Sequence, residues 1–182
     1  DLGEWVAQLN HERPSHMVLP IIHKNRVQVG DLFSAYTGSQ ISRQDIGEQV
    51  RVARSELRQE FLAAGMGITG ANAVVADAGA IMLVTNEGNA RLVTSLPKVH
   101  VVLVGVEKMV PNFAAAMLQV RLLARSATAQ PITAYTTFIN GPSEPGREMH
   151  VVLLDNGRSA MRATLLIRDA LRCIRCAACA NV

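Results

Sequence analysis

After Gly67 the chain carries a series of short, almost wholly apolar runs, and these limit its possible folds more than any other feature. Ala73-Val-Val-Ala-Asp77, Ala80-Ile-Met-Leu-Val-Thr85 and His100-Val-Val-Leu-Val-Gly105 are bounded by Gly, Asn and Pro. Runs of this length without a polar alternate suit strands buried on both faces. Two more follow, Ala134-Tyr-Thr-Thr-Phe-Ile139 and His150-Val-Val-Leu-Leu154, separated by the Gly- and Pro-containing loop 140–146. Segments of helical spacing lie around and between them. Helices interleaved with buried strands predict an α/β domain, a three-layer mixed sheet flanked by helices.

The helical segments are read from their apolar stripes. Residues 1–10 look like the end of a helix, with Leu2, Val6 and Leu9 in line. A second helix follows Pro20–Lys24, carries Val27, Val29, Leu32 and Phe33, and breaks at Gly38-Ser39-Gln40. Ser42 is the expected N-cap of a third, whose stripe is Ile46, Val50, Ala53, Leu57, Phe61 and Ala64, and Gly65 is expected to end it. Pro111 fits the first turn of a helix lined by Phe113, Met117, Val120 and Ala124. Asp155-Asn-Gly157 is a turn, and Ser159 is expected to cap a last helix running through Leu165, Ile167 and Leu171.

Composition narrows the partners. Hydrophobic residues make up 49% and aromatics only 4%, so the core must be aliphatic. The net charge of +3, from 18 basic and 15 acidic residues, is interspersed along the chain. No dense basic block with aromatic neighbours is present, so nucleic acid is not an expected partner. The longest strongly apolar run, Val101–Val106, is far short of the roughly 20 residues of a membrane helix. Three clustered cysteines do not resemble a secreted disulfide framework, and the cytoplasm is the expected compartment.

Four motifs carry possible chemistry. Gly65-Met-Gly67-Ile-Thr-Gly70 matches G-x-G-x-x-G, but a helix enters it and strand-like sequence leaves, the reverse of a dinucleotide site. It reads as a helix C-cap followed by a tight turn. Thr85-Asn-Glu-Gly-Asn89 follows a buried strand, where ligands of open α/β sheets gather. There Glu87 is the candidate catalytic nucleophile or base, with Asn86 and Asn89, and Thr69 and Asn72 from residues 69–72, as candidate ligand-binding residues. A polar turn whose Asn and Gly only satisfy the backbone is the competing reading. Asp155–Ser159 holds an equivalent strand-to-helix position, read more simply as a turn plus N-cap. The five histidines show no metal-binding spacing, and no G-x-S-x-G or P-loop is present.

The fourth motif is Cys173-Ile-Arg-Cys176-Ala-Ala-Cys179, which holds every cysteine of the chain. The C-x2-C-x2-C spacing is that of thiolates wrapping an iron–sulfur cluster, making Cys173, Cys176 and Cys179 candidate ligands. The bacterial ferredoxin run continues x3-C-P, which would place the fourth ligand just past Val182. The sequence therefore reads as a piece of a longer chain cut inside that motif. Without the remaining ligand, the spacing is expected to extend the last helix, with Cys173 and Cys176 on one side.

At Gly67–Asn72, Val84–Asn89, Leu96-Pro-Lys-Val-His100, Val151–Arg158 and Leu171–Cys179 the chain resembles the lactate utilisation protein B family. The resemblance implies a lactate-utilisation α/β domain over residues 1–170, lacking its N-terminal part and related to the sugar-isomerase and CoA-transferase fold. Residues 171–182 would then begin a truncated ferredoxin-like module, with [4Fe–4S] clusters bound in the longer protein rather than in this piece. It implies an oxidoreductase subunit, not catalytic alone, that passes electrons within a complex oxidising L-lactate to pyruvate. Its partners would be the other subunits of that complex. Strand edges left open by a missing segment favour a homodimer of this piece. By analogy with CoA-transferases, whose nucleophile is a loop glutamate, Glu87 is the residue on which a separate acyl or carboxylate chemistry would centre.

Overall fold

Among the described residues, helices alone build the first of two units, Asp1–Ala63 and Ala64–Val182, into which the computed structural model divides the chain. The structure describes residues 2–16 and 18–180; Asp1, Met17, Asn181 and Val182, and with them the two ends of the sequence, lie outside the described residues. In the first unit, α1 (Leu2–Leu9), α2 (Arg26–Thr37) and α3 (Ile46–Ala63) surround Val6, Phe33 and Ala53. Asn25 caps α2: its Oδ1 accepts from the N–H groups of Val27 and Gln28, and Gln28 Oε1 accepts from Asn25 N. These bonds satisfy donors a helix start leaves open. The helix ends at Gly38, whose φ of 67° lies in the left-handed region.

The third helix departs from its expected stripe. Ala53 is buried as expected, but Ile46 and Val50 are exposed and Gln49 is buried. Gln49 Nε2 donates to the carbonyls of Arg26 (3.0 Å) and Ser42 (2.8 Å), so a polar side chain holds α3 in place and turns the apolar line away from the core. The cap also moves. Asp45 Oδ1 accepts from Glu48 N at 3.1 Å, while the Glu48 carboxylate accepts from Ser42 N at 3.0 Å.

The second unit has the expected α/β class, with seven strands among its described residues divided between two sheets. One sheet is parallel throughout: β1 (Met66–Thr69), β4 (Val99–Gly105) and β7 (Glu148–Leu154), in the order β1-β4-β7. The other is mixed: β5 (Met109–Val110), β2 (Ala73–Val75), β3 (Ala80–Thr85) and β6 (Tyr135–Ile139), in that order, with only β5 and β2 parallel. The unbroken apolar run of β3 now has its cause. Ala80 and Met82 pack with Ala73, Val75, Val110 and Ala116, whereas Ile81 points the other way, onto Val102 and Val104 of β4. Both faces of β3 are covered, so neither can be polar.

Five local expectations are corrected. The residues read as a C-cap and turn at Gly65–Gly70 contain β1. A short helix not anticipated, α4 (Asn89–Ser95), follows β3. In α5 (Phe113–Thr128), Ala124 is buried as expected, but Phe113 and Met117 are exposed and Ala116 and Leu123 are buried in their stead. The run at 150–154 is exposed on β7, an edge strand with a single neighbour. The last helix, α6 (Arg158–Ala163), stops where Thr164 turns extended; Leu165, Leu166 and Ile167 are exposed, and a 3₁₀ turn spans Arg168–Arg172. The N-cap position expected of Ser159 is taken by Gly157, while Asp155 Oδ1 accepts from Ser159 N at 2.7 Å. No helix among the described residues is long and apolar enough to cross a membrane.

Candidate functional site

Because β1, β4 and β7 are parallel, their carboxyl ends lie along one edge, the place where open α/β sheets gather ligands. A charged cluster occupies this edge. Glu107 and Lys108 stand in the 3₁₀ turn Val106–Lys108 that leaves β4, and Arg158 opens the helix that follows β7. The Glu107 side chain is 7% exposed and its carboxylate takes two guanidinium groups. Arg158 Nε pairs with Oε2, the oxygen for which no hydrogen bond of ordinary geometry is found, and Arg175 Nη2 lies 3.2 Å from Oε1. Arg158 Nη1 also donates to the Asp155 carbonyl at 3.1 Å.

Burial alone would raise the Glu107 pKa. Its own backbone N–H and the two arginines outweigh that, and the carboxyl is held below its ordinary value. Lys108 is 7% exposed, and its ammonium makes no hydrogen bond or ion pair with the described residues. Burial first, and the Arg175 charge next, push its pKa down against the attraction of Glu107 and Cys173. The sequence reading missed Glu107 and Lys108. The available signal was a charged pair directly after the apolar run Val101–Val106, the same strand-end placement that singled out the loops at 85–89 and 155–159.

The candidate loop residues are largely engaged with their own surroundings. Thr69 Oγ1 lies 2.9 Å from Nε2 of His100, a buried histidine whose pKa is lowered by desolvation. Asn72 binds β3 with both its backbone N–H, to Met82 O at 2.9 Å, and its Oδ1, from Val84 N at 2.8 Å. Asn86 bridges Gln130 Oε1 (3.0 Å) and Ala134 N (3.2 Å), bracing the start of β6. Asn89 Oδ1 accepts from Ala90 N as α4 begins. Glu87 is exposed, and its carboxylate makes no hydrogen bond or ion pair with the described residues.

Cys173 and Cys179 are exposed and Cys176 is half-buried, all as free thiols. The segment does not continue a helix as expected. Arg175 (φ 59°) and Ala177 (φ 60°) are left-handed, and Cys173 Sγ accepts from Arg175 N at 3.4 Å. Exposed thiols at this spacing have the donor chemistry of an iron–sulfur site. Their arrangement does not fit one, because among the described residues no three His, Cys, Asp or Glu side chains gather as a metal-binding group.

A family profile described as the LUD domain matches residues 1–158. Lactate utilization protein B of Shouchella clausii is 48% identical over 188 residues, and its counterpart in Geobacillus thermodenitrificans 46%. An uncharacterized electron transport protein of Escherichia coli, YkgF, is 44% identical over 186 residues. Each match covers 100% of this chain and 39% of the relative, so the chain spans about two fifths of their length. A solved structure of a DUF162 family protein from Deinococcus radiodurans aligns at 20% identity with a TM-score of 0.38, covering 53% of this chain and 57% of that one.

Proposed function

Because the chain belongs to the LUD domain family, we propose that it is the lactate-utilisation domain of an electron-transfer subunit in a cytoplasmic complex oxidising L-lactate to pyruvate. The observation that carries this reading is the C-x2-C-x2-C segment at 173–179, on the C-terminal side of the family match at 1–158. It occurs in a chain whose relatives bear names that speak of lactate utilization and of electron transport. Oxidation of L-lactate to pyruvate releases two electrons and two protons. A bound [4Fe–4S] cluster supplies one-electron transfer. Cys173, Cys176 and Cys179 would provide three of its thiolates in the longer protein, in an arrangement other than the one seen here.

Anaerobic reconstitution of the longer native protein with iron and sulfide tests this reading. It predicts bound iron and sulfide, with one cluster lost in Cys173→Ser while the far-UV circular dichroism is unchanged. A protein carrying all its cysteines that takes up no iron and sulfide would contradict it.

A second reading gives the α/β domain its own acyl or carboxylate chemistry at Glu87. It is favoured by the exposed carboxylate, without a partner, at the carboxyl end of β3. Full lactate-dependent activity in a Glu87→Gln variant of the intact complex would exclude that role.

A further inference from the structure

We infer that Glu107 and Arg175 form a latch that holds the cysteine segment 173–179 against the carboxyl edge of the parallel sheet and shields Cys176. The segment is pinned at two points, one on each side of that thiol. Before it, Arg175 Nη2 donates to Glu107 Oε1 at 3.2 Å, a contact between residues 68 apart in sequence. After it, Ala177 is buried, only 4% exposed. The thiols follow this pattern. Cys176, between the two pins, is half-buried, whereas Cys173 and Cys179, outside them, are exposed.

Glu107 is an anchor built into the end of β4. Its side chain is 7% exposed, and Arg158 Nε holds the carboxylate oxygen that Arg175 does not take. Gly105 leaves room for this carboxylate, since a Cβ there would collide with it. The segment bends its backbone to reach the anchor. Arg175 and Ala177 have φ of 59° and 60°, a left-handed conformation that residues other than glycine keep only where their surroundings enforce it. The ion pair at Arg175 and the burial of Ala177 supply that enforcement. In the latched arrangement the thiols form no metal-binding group among the described residues. Opening the latch is therefore what an ion drawing all three together has to bring about. The inference concerns the segment as free thiols and does not depend on the function proposed above.

Alkylation of the 182-residue chain with iodoacetamide tests it, each cysteine being followed separately by peptide mass spectrometry. When the segment recloses faster than it reacts, the rate at a shielded thiol follows the population of the open form. In the parent chain Cys176 should react more slowly than Cys173 and Cys179. Arg175→Gln should raise the Cys176 rate about three- to fivefold relative to the other two, as expected for the loss of one partly exposed ion pair. Glu107→Gln should raise it at least as much. Adding Arg175→Gln to Glu107→Gln should change nothing further, because the arginine then has no anchor to lose. Electrostatics alone gives the opposite sign for Arg175→Gln, since removing a cation disfavours the neighbouring thiolate and slows its reaction. The Arg175 side chain is 60% exposed, so its substitution does not put folding at risk, and an unchanged far-UV circular dichroism checks this. The inference is overturned if Cys176 reacts as fast as its neighbours in the parent chain, or if Arg175→Gln leaves its rate unchanged or lowers it. It is also overturned if Arg175→Gln accelerates Cys176 as much in the Glu107→Gln chain as in the parent.

Discussion

At Gly67 an added Cβ would run into the backbone carbonyl of Val93 on α4. The residue is glycine because a helix lies against β1 at that point. Gly67→Ala should therefore lower stability by about 1–3 kcal/mol in denaturant unfolding, the usual cost of overpacking. Glu107 gives a pH-dependent prediction. Its folded pKa is held below the ordinary carboxylate value of 4.5, so its contribution is complete above that value and lost as pH falls through the folded pKa. Glu107→Gln should be less stable than the parent chain at neutral pH by about 1.5–3 kcal/mol, with the gap closing in acid. Burial depresses the pKa of His100 below 6.5, so the neutral ring is the stable folded form. Stability from that source is complete above pH 6.5 and falls as the pH drops below it, because the unfolded chain takes up the proton first. A His100→Gln chain should show a shallower loss of stability between about pH 6.5 and 5.

At the scale of elements, what was legible followed covering of both faces. β3 is sandwiched, so its apolar run announced a strand. The same rule misled at β7, where an equally apolar run forms an exposed edge: composition alone does not reveal how many neighbours a strand has. An edge of this kind invites pairing with other chains. Val152→Lys should reduce light scattering of concentrated solutions without altering the circular dichroism. Short elements were invisible for other reasons. The strand Met66–Thr69 contains a glycine and only four residues, and α4 has Gly88 at its N-cap, without a side-chain cap. In α3 and α5 the apolar spacing located each helix but only part of its buried face, Ala53 and Ala124. Gln49 illustrates why, since two side-chain hydrogen bonds to carbonyls fixed the rotation of α3.

For the whole molecule, the α/β class could be read from the order of its elements, whereas the division into two sheets could not. Sheet membership depends on pairings between strands distant in sequence, such as Val99–Gly105 with Glu148–Leu154. The candidate site was legible in the same uneven way. The three cysteines stand out by spacing alone, but Glu107, Lys108 and Arg158 come together only because β4 and β7 end side by side. Both features meet at Arg175, which lies between two of the cysteines and pairs with Glu107. The role proposed for this domain is in an electron-transfer subunit of lactate oxidation. Electron paramagnetic resonance of the longer protein, reconstituted anaerobically with its partner subunits and mixed with L-lactate, tests it most directly. The account predicts a reduced-cluster signal that depends on lactate and is altered in Cys173→Ser. A fully assembled cluster that lactate leaves oxidised, with every partner present, would contradict it.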